Sequence, residues 1–135
     1  MDVFFYGQFM DKSLLKSKGL NPTNPRVSRL DGYGLRIGER ASLLQSEAER
    51  VYGIIMSLSN EELNVLYSEK SVSDYVPELV TVTTENKEQI DVTAYNLPAE
   101  LVSGRNKEYA DSLAILAERI GLPSEYVDEI KRQAP

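Results

Sequence analysis

The 135-residue chain is predicted to take an α+β fold. Its candidate elements run strand, helix, several strands, helix, hairpin and two helices, without the strict βαβ alternation of a doubly wound sheet. Apolar residues make up 41% and charged residues 27%, a globular balance that argues against wholesale disorder. This length fits one domain over residues 1–135 and leaves little for a second.

Each element has a local reason. Val3-Phe4-Phe5-Tyr6 are β-formers, interrupted by Gly7. Asp11 is placed to cap a short helix through Leu14, Leu15 and Lys18, with Gly19 at its end. Asn21 to Pro25 read as a turn-rich loop. Residues 26–37 hold two short strand candidates, broken at Asp31-Gly32 and again at Gly34. Residues 38–50 are polar apart from Ala41, Leu43 and Leu44, and read as a loop.

Val51 to Leu58 is the strongest strand signal, apolar enough for burial on both faces. Gly53 within it marks a bulge or a close backbone approach. Ser59 and Glu62 fit a capping box for the next helix, whose inward edge is Leu63 and Leu66. Ser71 to Pro77 read as irregular. Residues 79–83 and 90–95 alternate and flank a polar turn at 85–88, so they predict a hairpin. Tyr109, Leu113, Leu116 and Ile120 recur at helical spacing, and Gly121 with Pro123 ends that helix. A last helix holds Tyr126, Val127 and Ile130.

Composition excludes several chemistries. The chain has no cysteine and no histidine, which removes thiol nucleophiles, disulfides, imidazole bases and nearly all zinc sites. No metal or cofactor is expected. Acid–base work near neutral pH falls to carboxylates, lysines, tyrosines or backbone. The net charge of −6 would repel a phosphate backbone, so nucleic-acid binding is not expected. No run of 18 apolar residues is present, and no membrane partner is expected. Met1 to Tyr6 lacks the basic start and long apolar stretch of a secretory signal, which fits a cytoplasmic protein.

Three features could carry chemistry, and each has a plainer reading. Tyr6-Gly7-Gln8-Phe9-Met10 joins a strand to a helix. Its N–H groups could converge on an anion beyond Gly7, or it could be an ordinary turn. Glu69 follows the capped helix. Desolvated there it would be a general base; left in water it would be a surface glutamate. Arg36, Arg40 and Arg50 could grip a substrate carboxylate, but Glu39, Glu47 and Glu49 among them favour solvated charge. Tyr52, Tyr67, Tyr75 and Tyr95 read as core or rim residues.

In this order the segments resemble the γ-glutamylcyclotransferase-like superfamily. Phe5-Tyr6-Gly7-Gln8-Phe9-Met10 is similar to the family's Tyr-Gly-Ser-Asn/Leu opening. Leu30-Asp31-Gly32-Tyr33-Gly34-Leu35-Arg36 is similar to its L-x-G-Y-x-L strand, and Val51 to Leu58 to its V-x-G-x-x-x-x-L strand. Glu62-Leu63 through Leu66 to Glu69, then Tyr75 and a strand, stand where the family carries L-D-x-x-E-G, a tyrosine and a strand. The match spans about the first three-quarters of the chain. The tail, from Arg105 to Pro123, resembles a bacterial branch of the superfamily.

The resemblance implies a small mixed sheet, strongly curved or barrel-like, with flanking helices. It implies a pocket at the Tyr-Gly loop, with Tyr6, Gly7, Gln8, Phe9, Met10 and Tyr75 binding the γ-glutamyl unit of a small amine or peptide. Glu69 would take a proton from the α-ammonium, the freed amine would attack the γ-carbonyl, and 5-oxoproline and an amine would result. The sequence departs from the pattern at Gln8 and Phe9, and a gap-free match from Leu66 puts Lys70, not Glu69, at the catalytic place. These departures motivate an alternative, an inactive relative that binds a small carboxylated ligand or a protein partner. The sequence carries no signal for oligomeric state.

Overall fold

The strand predicted at 51–58 is the hub of the structure. The computed structural model describes residues 1–133. In chain order it comprises β1 (Asp2–Phe5), a 3-10 turn (Gln8–Met10), α1 (Lys12–Ser17), β2 (Thr23–Ile37), β3 (Ala41–Ser57) and α2 (Asn60–Leu66). Then follow β4 (Val76–Thr84), β5 (Gln89–Asn96), a 3-10 turn (Ala99–Leu101), α3 (Lys107–Ile120) and α4 (Ser124–Arg132). The strands close into a barrel in the order β1-β3-β2-β4-β5. All neighbours are antiparallel except β1 and β5, whose parallel pairing of Val3 with Thr93 closes the ring. The expected α+β class and barrel-like sheet are both present.

β3 pairs with β1 on one side and β2 on the other, and Val51, Ile55 and Met56 are wholly buried. Gly53 is required by a close approach, as expected: a Cβ there would lie 2.3 Å from the Phe5 carbonyl oxygen and 2.7 Å from the Phe4 ring. No bulge forms at this residue, which sits in register opposite Ser28. The helices end as the sequence predicts. Asp11 accepts from Ser13 and Leu14 N–H, Ser59 and Glu62 make the full capping box, and Gly121 turns left-handed with φ of 92°.

Three readings are corrected. Residues 38–50 are not a loop: only 38–40 turn, and 41–50 continue β3 as half of a long hairpin with β2. Polar side chains misled because this extension exposes much of its surface, including Leu44. Asp31-Gly32 does not break the strand. Gly32, at φ 84°, absorbs a bulge between Asp31 and Tyr33 while β2 runs on, and Gly34 sits within its continuous pairing. The segments at 21–25 and 71–77 give their ends to β2 and β4 respectively. Pro77 is tolerated because β4 pairs with β2 only at Thr83 and Thr84.

Two carboxamides hold the hairpin extension down. Asn96, at the end of β5, accepts from Leu43 N–H at 2.8 Å and donates to the Leu43 carbonyl at 3.0 Å. Gln133 accepts from Ile37 N–H at 2.9 Å and donates to the Leu35 carbonyl at 3.0 Å. Each imitates a neighbouring strand for one short stretch of edge. Asn96 is buried, whereas Gln133 is half-buried.

Two stability predictions follow from these contacts. Gly53→Ala forces a methyl group against the Phe5 carbonyl and is expected to cost about 1–3 kcal/mol by urea denaturation; an unchanged midpoint would refute the close approach. Asn96→Leu keeps the volume but orphans both Leu43 groups, at about 1–3 kcal/mol for each buried group left unpaired. Gln133→Leu should cost clearly less, because water can replace it.

Candidate active site

The turn after β1 sits at the mouth of the barrel and floors a cavity of about 330 Å³. That volume suits a small ligand. Tyr6, Gly7, Gln8 and Phe9 line it from below, and Tyr67, Tyr75, Tyr95 and Tyr109 from the sides. The Tyr67 and Tyr95 rings stack with centroids 3.9 Å apart, and Phe9 meets Tyr67 edge-on at 5.9 Å. Charge is confined to Lys18, Glu39, Arg40 and Glu69.

The six expected binding residues are placed unequally. Tyr6 and Tyr75 contribute rings, because their hydroxyls are spent on backbone: Tyr6 donates to the Tyr95 carbonyl at 2.8 Å and Tyr75 to the Ala41 carbonyl. Gly7 and Phe9 line the cavity, and their N–H groups have no acceptor among the described residues. The Gln8 N–H reaches only the Tyr109 hydroxyl, at a long 3.4 Å, while its side chain donates to Ser112 on α3. Met10 is different. It is buried in the core and does not line the cavity, because the 3-10 turn rotates it inward.

Glu69 lines the cavity and the exposed Lys70 does not, in the stretch where a gap-free match would have favoured the lysine. The surroundings of Glu69 differ from the dry recess expected of a general base. Its side chain is 36% exposed, and Lys18 at the end of α1 bonds both carboxylate oxygens, at 2.8 and 3.0 Å. Of the three arginines weighed for a carboxylate grip, Arg36 is spent bidentately on Glu49 and Arg50 on Glu129. Arg40 alone lines the cavity, bonded through one nitrogen to Asp74 at 3.2 Å and the Ser71 carbonyl at 3.3 Å.

Lys18 and Tyr109 carry no signal that singles them out in the sequence. Lys18 reads as the tail of a short helix, and Tyr109 as one more inward position of a longer one. The fold brings both to the cavity. The backbone of Glu39 bonds Ser103, and the Asn106 side chain donates to the Glu39 carbonyl, so the β2–β3 turn clamps the start of α3. Tyr109 then lies over the Tyr-Gly turn, its hydroxyl 2.7 Å from where a Gly7 Cβ would be. Glycine is needed at position 7 for this contact.

The cavity tyrosines stay neutral. Burial pushes the Tyr6 hydroxyl well above the ordinary phenol range, and neighbouring Tyr75 and Tyr67 add to the effect. Burial likewise raises Tyr67, Tyr75, Tyr95 and Tyr109. These groups do not act as bases near neutral pH. Because the folded values lie above the unfolded one, the native state holds protons that the unfolded chain releases from about pH 10 upward. Their stabilisation is complete below that pH and lost as pH rises further. Urea midpoints should fall steeply above about pH 10, and phenolate absorbance from these residues should appear with unfolding. Tyr67→Phe should flatten that slope; ionisation of all the tyrosines in a still-folded protein would contradict this account.

Comparison with known proteins places the fold. A structure described as "Gamma-glutamyl cyclotransferase" superposes with a TM-score of 0.77 at 21% identity, covering 97% of this chain and 86% of that one. YkqA from Bacillus subtilis gives 0.80 at 21% identity over 99% of this chain, which spans only 54% of YkqA. A yeast γ-glutamyl cyclotransferase described as specific to glutathione gives 0.66 at 12% identity, covering 99% and 95% of the two chains. No curated protein sequence matches. These likenesses establish a shared γ-glutamylcyclotransferase-like fold. The family model described as "AIG2-like family" matches residues 50–130, more than half of the chain, and the protein belongs to that family.

Proposed function

We propose that the protein is a γ-glutamylcyclotransferase-type enzyme that converts a small γ-glutamyl amine or peptide into 5-oxoproline and the free amine. The observation that carries this reading is Glu69: a carboxylate on the wall of the cavity that the Tyr6–Phe9 turn floors. Similar folds named as γ-glutamyl cyclotransferases support the reaction class.

The reaction needs only what this cavity holds. Glu69 accepts a proton from the substrate α-ammonium. The freed amine attacks the γ-carbonyl carbon, forming the ring C–N bond. Charge that builds on the carbonyl oxygen is met by the Gly7 and Phe9 N–H groups. Glu69 returns this first proton to the departing nitrogen as the scissile C–N bond breaks, then takes the second proton from the ring nitrogen and passes it to the amine, which leaves as the ammonium. No water is consumed and no net proton is transferred. The neutral tyrosines exclude water and hold the substrate carbon chain without competing for the proton.

A second reading draws on a specific contact. Lys18 occupies both oxygens of the Glu69 carboxylate, so the pair also suits a non-catalytic relative that binds a small carboxylated ligand. Turnover separates the two. A panel of γ-glutamyl amino acids and amines should release 5-oxoproline with the native protein. Glu69→Gln should lower that rate by roughly 10²–10⁴-fold, while Lys70→Met leaves it unchanged. Full turnover by Glu69→Gln would remove the proposed base. Binding without turnover across the panel would favour the second reading.

A further inference from the structure

Resting on the γ-glutamyl reading, we propose that the Lys18–Glu69 ion pair reads the ligand's α-amino acid head, with Glu69 taking the α-ammonium and Lys18 the α-carboxylate.

An α-amino acid head carries both charges on one carbon. Its partners must therefore be an anion and a cation side by side. Lys18 and Glu69 meet that requirement, 2.8 Å apart, and both line the cavity. Arg40, the other cation there, is held elsewhere. Its guanidinium is tied to Asp74 and to the Ser71 carbonyl, and it lies 5.8 Å over the ring of Tyr75. Tyr75 in turn bonds Ala41, the residue after Arg40, so this arginine braces the cavity wall.

Lys18 is the freer group. Its ammonium bonds only the Glu69 carboxylate among the described residues, on a flexible stem at the end of a six-residue helix. That ammonium stands where a ligand ammonium would sit. An incoming head offers Glu69 a replacement cation and Lys18 a replacement anion, so one ion pair becomes two. The exchange draws Lys18 off Glu69 as the substrate arrives and leaves the carboxylate able to take a proton. A ligand without the carboxylate must compete with Lys18 for Glu69. A ligand without the ammonium gains Lys18 only by leaving Glu69 unpaired.

Binding without chemistry tests this. S-benzyl-homocysteine has the head and an apolar tail but a thioether in place of the scissile amide, so it cannot cyclise. Calorimetry compares it with its decarboxylated amine and its deaminated acid. The native protein should prefer the amino acid over either by roughly tenfold to a hundredfold, the worth of one charge-assisted hydrogen bond. Lys18→Met should erase its preference over the amine, Lys18→Arg should keep most of it, and Arg40→Met should keep it. Thermal melts confirm that each variant folds. A Lys18→Met protein that still prefers the amino acid, loss of the preference in Arg40→Met alone, or a native protein that binds none of the three overturns the proposal. Lys18-dependent preference without turnover of any γ-glutamyl substrate defeats the enzyme reading and leaves this one standing. Turnover without that preference does the reverse.

Discussion

The cavity depends on one buried carboxamide. Asn96 closes β5 and grips both backbone groups of Leu43, which fixes the start of β3 against the barrel. Next to it the Tyr6 hydroxyl bonds the Tyr95 carbonyl, and two residues before Leu43 the Ala41 carbonyl takes the Tyr75 hydroxyl. The hairpin extension is also tied by Arg36–Glu49 and Arg50–Glu129, but these pairs are more than a quarter exposed. Such surface pairs contribute about 0–1 kcal/mol. An unpaired buried amide group costs about 1–3 kcal/mol. The Asn96 contact is therefore the strongest single tie on the hairpin whose turn, clamped at Glu39 by Ser103 and Asn106, brings Glu39, Arg40 and Ala41 into the cavity wall.

That constraint shapes the chemistry available. The walls are aromatic and buried, and burial keeps their hydroxyls protonated. Charge is left to a few groups at the rim. The chain has no imidazole and no thiol, so the proposed reaction gives Glu69 both halves of the proton transfer. Its companion lysine then matters as much as the carboxylate. A nearby ammonium disfavours a second cation, which helps a substrate α-ammonium lose its proton once it is bound there. On the proposed reading, Lys18 occupies Glu69 until the substrate displaces it and then favours loss of the α-ammonium proton.

Most elements were legible because their signals are local. Capping by Asp11 and Ser59, the stop at Gly121 and the hairpin turn at 85–88 each need only a few neighbouring residues. The misread stretch, 38–50, is stabilised by partners far along the chain: Asn96 and Gln133 supply the edges that its polar sequence does not advertise. The site divides in the same way. The Tyr6–Phe9 turn and Glu69 stand out by resemblance, whereas Lys18 and Tyr109 reach the cavity only through tertiary packing. Met10 shares that segment, but the 3-10 turn carries it into the core. Which of the two readings of Glu69 holds was not legible either, because no sequence pattern shows that Lys18 at the end of α1 reaches its carboxylate.

Two polar groups of the cavity take partners from within the chain, while the Gly7 and Phe9 N–H groups have none among the described residues. Lys18 gives Glu69 a cation, and the Tyr109 hydroxyl gives the Gln8 N–H an acceptor. The two differ in strength. The first is charge-assisted and short; the second, at 3.4 Å, is near the limit of a hydrogen bond. Both come from helices outside the barrel, α1 and α3. Side-chain rotation can therefore release either one while the sheet, pinned by Asn96 and the Gly53 contact, stays still. A ligand that brings an acceptor for the turn and a zwitterionic head for the ion pair replaces both partners at once. The γ-glutamyl unit of the proposed substrate, an α-amino acid head with a carbonyl further along its side chain, meets both requirements.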